Sequence, residues 1–215
     1  LTNQLTQGSA DVPPRDEQDF EERRQQIIDG ALRVFADKGF ERATNKDIAL
    51  AAGINSPGLI YHYFKDKASL LEQAIEQRSQ LFRLLANPEH LYELPPYEAL
   101  SEFARGFLSI TENPAAIAVF KLMFSEAVRR PGVADVYNRI GPTRAFRLLN
   151  SYLSRQMERG TLRRMDVGAA ARCFVGPLLA YVVTREIFPQ PDTATLDIET
   201  MVATLVDVYL QGMQP

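Results

Sequence analysis

TNKDIALAAGINSPGLIYHYFKDK, Thr44 to Lys67, packs two short helical patterns around a glycine and then crowds Ser, Pro, Gly, two Tyr, a His and a Phe into nine residues. Thr44 reads as an N-cap, with Asp47 three residues on in the position of a capping-box acid. The helix it opens, NKDIALAA, is about two turns long and stops at Gly53. Ser56 reads as the next N-cap, and Pro57 falls at the first helical position, where its missing N–H costs nothing. A second short helix then runs to about Tyr63, and Asp66 caps a third. Ile48, Ala49, Ala52, Ile54, Ile60 and Phe64 are the apolar residues available for a small core between them.

Working outward, residues from about Glu21 to Lys38 carry Ile27, Ile28, Ala31, Leu32 and Phe35 at helical spacing. Gly39 stops that helix, and Phe40 can fold back on its stripe. Residues 1–19 are polar and acidic, without the basic start and apolar centre of a signal peptide, and read as a disordered tail. Downstream, KASLLEQAIEQRSQLFRLL reads as one helix from Lys67 to about Leu85, burying Leu70, Leu71, Ala74 and Ile75. NPEHLYELPP reads as a loop, and YEALSEFARGFLSIT and AAIAVFKLMFSEAVRR as amphipathic helices separated at Asn113-Pro114. A long helix over about 133–159, kinked at Gly141-Pro142 and closed by Gly160, precedes two final helices. No alternating strand pattern and no internal repeat stands out. The expected fold class is all-α, with a head at 20–66 and a larger helical domain at 67–215.

Composition sets outer bounds. Hydrophobic residues are 46% and charged residues 24% of the chain, enough for a sizeable core. A single cysteine, Cys173, rules out an internal disulfide and a cysteine-based zinc site, and fits a reducing cytoplasm. Its apolar surroundings suggest a buried thiol. The run Cys173 to Val183 is too short to span a bilayer, so no membrane partner is expected. The net charge of −3 excludes a protein basic all over, but Arg42, Lys46, Lys65 and Lys67 outnumber Asp47 and Asp66 locally. Nucleic-acid binding asks only for such a local face.

Two short helices joined at a glycine and packed on a longer first helix make a helix-turn-helix, whose second helix enters the major groove by its N-terminal residues. Ser56 and Pro57 start that helix, Gly58 lets the backbone approach DNA, and Tyr61, His62 and Lys67 can donate to phosphates. The run from Ile27 to Leu71, GALRVFADKGFERATNKDIALAAGI followed by GLIYHYFKDKASLL, resembles the N-terminal domain of the TetR family of transcriptional regulators. It departs from the family's commoner pattern by one added residue around Asn55, in GINSPG. The resemblance implies that Thr44 and Lys46 touch phosphates, that Ser56, Pro57, Gly58 and Leu59 face the groove with Asn55 beside them, and that Tyr61, His62 and Lys67 hold the backbone. Phosphate contacts position and base contacts specify. Pro57 and Leu59 have no hydrogen-bonding side chains, so thymine methyls and shape are expected to count for more than arginine–guanine pairs.

No serine or cysteine has a partner histidine at a recognisable spacing, and no glycine-rich phosphate loop follows a strand, so no catalytic residue and no cofactor is expected. His90 has no second histidine near it and suggests no metal. Phe103, Phe107, Phe120, Met123, Phe124, Tyr137 and Phe146 each read as ordinary core. Together they are the aromatic set from which an apolar pocket between helices is lined, and the resemblance implies a ligand cavity in that neighbourhood. AAARCFVGPLLAYVV is apolar around most of its circumference and wants burial on several sides. With the final helix it could form a four-helix contact between two copies, through Phe174, Leu178, Tyr181, Val182, Met201, Leu205, Val208 and Tyr209. The resulting expectation is a dimeric, cytoplasmic, ligand-responsive repressor that leaves a near-palindromic DNA operator when a small, largely apolar effector binds. A helical carrier or enzyme, an activator, and a regulator answering to a protein signal stay open as alternatives.

Overall fold

The structure, a computed structural model, describes residues 15–129, 135, 138, 139 and 141–215. The helices are α1 (Arg15–Lys38), α2 (Asn45–Ala52), α3 (Ile60–Tyr63), α4 (Lys67–Arg78), α5 (Gln80–Ala86), α6 (Glu89–Glu93), α7 (Pro96–Leu108), α8 (Pro114–Arg129), α9 (Pro142–Glu158), α10 (Val167–Glu186), α11 (Pro191–Thr195) and α12 (Ile198–Gly212). Single 3₁₀ turns precede α3 and follow α7. No strand occurs among the described residues.

α1 begins at Arg15, five residues inside the segment expected to be a tail. Phe20 explains part of the extension, since its ring stacks 4.5 Å from that of Tyr63 on α3. Gly39 follows α1 with φ +87°, and Phe40 folds back to 5.7 Å from Phe35, closing the helix as its cap pattern implied. α1 and α2 then meet at Gly30. A Cβ there would lie 2.7 Å from the Ala52 nitrogen and 2.9 Å from its Cα, so only glycine permits this approach.

The apolar residues named for the head are all buried, and Leu70, Leu71 and Ala74 of α4 join the same core. α4 is therefore shared between the head and the larger body, and a boundary between residues 66 and 67 cuts across one packed cluster. The expected single helix from Lys67 to Leu85 is broken at Ser79, which is extended (φ −113°, ψ 125°) and buried. Tertiary packing overrides propensity here. α5 turns away to lie on α7, where a Cβ on Gly106 would come within 3.2 Å of the Leu81 Cα.

The body core joins Leu100, Phe103 and Leu108 of α7, Leu149, Tyr152 and Leu153 of α9, Phe174 and Leu178 of α10, and Val202 and Val206 of α12. Asp166 and Asp197 cap α10 and α12, accepting from the backbone of Ala169 and Thr200. With about 100° between successive residues, α10 offers three distinct faces. Phe174, Leu178, Tyr181 and Val182 enter the core, with Phe174 edge-on to Tyr209 at 5.0 Å. Cys173 and Ala180 point to solvent. The thiol expected to be buried is thus exposed, because it lies one residue away from the core-facing Phe174. By length and mean hydropathy (1.6) this 20-residue helix could cross a bilayer, unlike the shorter uncharged run within it, yet one whole face is committed to the core.

Six of the eight side chains assigned to a contact between copies are core of the single chain: Phe174, Leu178, Tyr181, Val182, Leu205 and Tyr209. α10 and α12 pack on α7 and on each other, and the Tyr209 hydroxyl donates to the Ala170 carbonyl at 3.0 Å. Of the remaining two, Met201 is half-buried and Val208 is 64% exposed.

Candidate nucleic-acid interface and cavity

The start of α2 is built by a reciprocal cap. Thr44 Oγ1 accepts from the Asp47 backbone N–H at 3.1 Å, and Asp47 accepts from the Thr44 N–H at 3.2 Å and from its hydroxyl at 2.7 Å. The Lys38 ammonium stands 2.7 Å from the same carboxylate. That hydrogen bond, followed by those from Thr44, pulls the Asp47 carboxyl down to about 2. Lys38 and the Thr44 hydroxyl are thereby engaged within the head. Lys46, exposed on the first turn of α2, has no ion-pair partner among the described residues.

Gly53 ends α2 at φ +68°, donating to the Ala49 and Leu50 carbonyls. The added residue is absorbed in the exposed link that follows, Asn55 and Ser56, while Ile54 stays in the core. Ser56 occupies an N-cap position with extended backbone but makes no side-chain cap, contrary to the expectation for it. Pro57 has no N–H to offer, and the Leu59 N–H is taken by the Ser56 carbonyl at 3.1 Å. The Ser56 hydroxyl is left outward-facing.

The second helix starts as a 3₁₀ turn, Pro57–Leu59, and is α-helical only over Ile60–Tyr63. Asn55, Ser56, Pro57, Gly58, Tyr61 and His62 are all exposed, Tyr61 to 64%. Gly58 is not required by the fold, since an added Cβ would meet only the Ser56 Oγ, at 3.6 Å. Its missing side chain leaves the backbone bare on an exposed edge.

Two residues differ from their expected placement. Leu59 is half-buried and packs on the head core. The Lys67 ammonium turns inward, donating to the Glu41 and Ala43 carbonyls at 3.2 and 3.1 Å and lying 4.6 Å from the Phe40 ring centre. Loss of water there lowers its pKa. Lys67 ties the start of α4 to the turn before Thr44.

The aromatic neighbourhood contains a cavity of about 470 Å³, within the usual range for small-molecule sites. Phe107, Phe120, Phe124 and Phe146 line it, the Phe120 and Phe124 rings stacking at 5.9 Å. Phe103 instead lies in the body core, 6.1 Å from Phe174. The Met123 side chain and Tyr137 lie outside the described residues. The third face of α10 supplies Arg172, Val175 and Leu179, and α4 reaches the cavity through Ile75, with Ser79 just beyond its end. Neither Arg172 nor Ser79 carries a sequence signal for such a place, because both depend on how non-adjacent helices meet.

Comparison with known proteins gives the family. A family model described as "Bacterial regulatory proteins, tetR family" matches residues 27–74. A second, described as "AefR-like transcriptional repressor, C-terminal domain", matches residues 98–212, more than half of the chain. The chain belongs to the TetR family. It is a DNA-binding transcriptional regulator, of a family whose members are regulators and not enzymes. The HTH-type transcriptional regulator BetI of Escherichia coli (strain K12 / DH10B) is 31% identical over 157 residues, 69% of this chain and 77% of BetI. The HTH-type transcriptional repressor Rv1474c of Mycobacterium tuberculosis (strain ATCC 25618 / H37Rv) is 35% identical over 80 residues, 37% of this chain and 42% of that one. The transcriptional regulator FadR from Bacillus subtilis, solved in complex with stearoyl-CoA, shares the fold at a TM-score of 0.67 and 20% identity, covering 88% of this chain and 99% of that chain. Regulators of this family bind operator DNA and form dimers.

Proposed function

We propose that this TetR-family regulator is a repressor, held as a homodimer on a near-palindromic operator and released by a small, largely apolar effector. The observation that carries the reading is the span of α4. Lys67 at its start holds the turn that precedes Thr44, and Ile75 near its end stands in the cavity wall. An effector filling the cavity bears on the same helix that seats the reading head. Release requires that the effector bind the DNA-incompetent arrangement more tightly, and a coupling of about 1–3 kcal/mol changes operator affinity roughly 5–150-fold. The stearoyl-CoA held by the similarly folded FadR of Bacillus subtilis is in keeping with a ligand that has a long apolar part.

In this reading Lys46, Asn55, Ser56, Pro57, Gly58, Tyr61 and His62 form the DNA surface, and Thr44 supplies the capped start of α2 beside a phosphate. Leu59 supports that surface from within, and Lys67 anchors it. Two copies pair through the outward faces of α10 and α12, where Cys173, Ala180, Thr204 and Val208 are exposed. Pairing sets the two heads roughly 34 Å apart, one turn of DNA. The regulator then works in the cytoplasm, on the DNA beside the genes it controls.

Fluorescence anisotropy on DNA flanking its own coding sequence, over a salt series, tests the head. Wild type should bind with a steep salt slope, and Tyr61→Ala should bind more weakly, with a slope smaller by about one if the lost contact is to a phosphate. Equal binding and equal slopes for the two proteins would remove Tyr61 from the interface.

A further inference from the structure

We infer that the cavity takes an amphiphile with an anionic head, and that Arg172 holds that head. This rests on the cavity being the effector site. Ile75, Phe82, Phe120, Val175 and Leu179 typify its wall, and among the described residues Arg172 is the one charged residue that lines it. No Asp or Glu does. A cavity with this wall solvates an alkyl chain well and, among the described residues, offers an ammonium group ring faces but no carboxylate.

The guanidinium is held in place without being neutralised. Its centre lies 5.3 Å from the Phe146 ring, which itself lines the cavity, so the stack keeps the cation at the wall. One Nη donates to the Gly168 carbonyl one turn back in α10, at 2.9 Å. No carboxylate pairs with Arg172 among the described residues, and its remaining N–H groups have no protein acceptor there. A planar fork with free donors beside an apolar cavity matches a carboxylate or phosphate in shape and charge. Arg172 is exposed to solvent, so the head sits at the cavity's open side while the chain runs inward. The preference it confers is that of a partly solvated charge-assisted hydrogen bond, about tenfold in affinity.

Titration calorimetry on the full chain with decanoate, decan-1-ol and decyltrimethylammonium, each below its aggregation concentration, tests the assignment. Wild type should bind decanoate about tenfold more tightly than decan-1-ol, and the ammonium compound most weakly. Arg172→Gln should remove the decanoate preference and leave decan-1-ol binding unchanged, while Arg172→Lys should restore part of it. Thermal midpoints close to wild type confirm that the variants fold. A preference that survives Arg172→Gln, or its absence in the wild type, overturns the role of Arg172 while leaving an apolar site. If none of the three binds, the cavity is not an effector site and both readings fall.

Discussion

The head and the body of this regulator are packed on opposite principles. In the head, α1 and α2 approach so closely at Gly30 that no Cβ fits, every inward side chain is covered, and the polar residues are turned out along one exposed edge. In the body, apolar side chains from several helices, four phenylalanines of the expected set among them, enclose about 470 Å³. Unfilled apolar volume is destabilising, so whatever fills it selectively stabilises the arrangement it binds. The head is a fixed surface, set by caps and close packing. The body is the part whose stability an added molecule can change, and the two meet on α4 and where α8 packs on α1.

The largest expected effect follows from the closeness of α1 and α2. Gly30→Ala would push a methyl group against the Ala52 backbone, which cannot rotate away, and overpacking of this kind costs about 1–3 kcal/mol. Urea unfolding should show that loss, whereas Gly58→Ala, with only the Ser56 Oγ near, should stay within about 0.5 kcal/mol of wild type. A tolerated alanine at residue 30 would mean that the head is looser than its geometry implies, and the contrast with the body would fail.

The same contrast explains what could be read from the sequence. The head is specified by near neighbours: Thr44 with Asp47, Asp66 with Ser69, Gly53 after Ala52. Such signals survive in a linear reading, so the order of the head's helices and most of its buried set are legible, while the early start of α1 at Arg15 and the uncapped Ser56 are not. Gly30 carries a weaker signal of the same kind, since an isolated glycine within a helical pattern is a sign of close packing. The body is specified by distant partners. Nothing in EQRSQLF announces the break at Ser79, because Gly106, twenty-seven positions later, creates the seat for α5. The neighbourhood of the cavity could be named from its phenylalanines, but Arg172 could not. For α10, the sequence showed that several faces would be buried without showing which face meets which neighbour, and the assignment to a partner copy fell on the face used by the core.

Acid and alkali should act on different groups, the capping carboxylates and the buried tyrosines. The Asp47 carboxyl titrates at about 2 against a usual value of 3.8. Its contribution to the head is therefore complete above pH 3.8 and is lost as the pH falls toward 2. In the body, burial raises the Tyr152 hydroxyl to about 12 from 10.0. Burial raises Tyr209 as well. Neutral tyrosine is favoured by folding, so that contribution is complete below pH 10 and is lost as the pH rises through 12. Lys67 runs the other way: its lowered pKa means that the head gains as it deprotonates. Asp197, also lowered by its cap hydrogen bonds, extends acid sensitivity to the start of α12. Tyr152→Phe should cost about 1 kcal/mol at neutral pH, by loss of the hydrogen bond to the Leu94 carbonyl, and flatten the fall in stability above pH 10. Equal alkaline slopes for variant and wild type, in denaturant midpoints from pH 9 to 12, would show that another group governs the alkaline limit of the body.

The smallest expected effect on stability concerns the link itself. Arg144, in the first turn of α9, pairs with both Glu72 and Glu76 of α4. These carboxylates lie one helical turn apart, and without the arginine they would repel each other on the same face. Pro142, Ala145 and Phe146 of that same first turn line the cavity, so one short segment touches both the effector site and α4. All three charged side chains remain partly solvated, which limits the contribution to about 1 kcal/mol or less. The apolar seat of α4, through Leu70, Leu71 and Ala74, is buried and stronger. Arg144→Gln should therefore leave global stability almost unchanged while loosening only the end of α4 nearest the cavity. Amide exchange distinguishes the two contributions: protection should fall over residues 74–78 and hold over residues 27–35 of α1. If protection of α4 is unchanged along its whole length, packing alone fixes the helix. The routes left from the cavity to the reading surface would then be apolar ones, through Ile75 of α4 and through Val119 of α8, which lines the cavity and joins the head core.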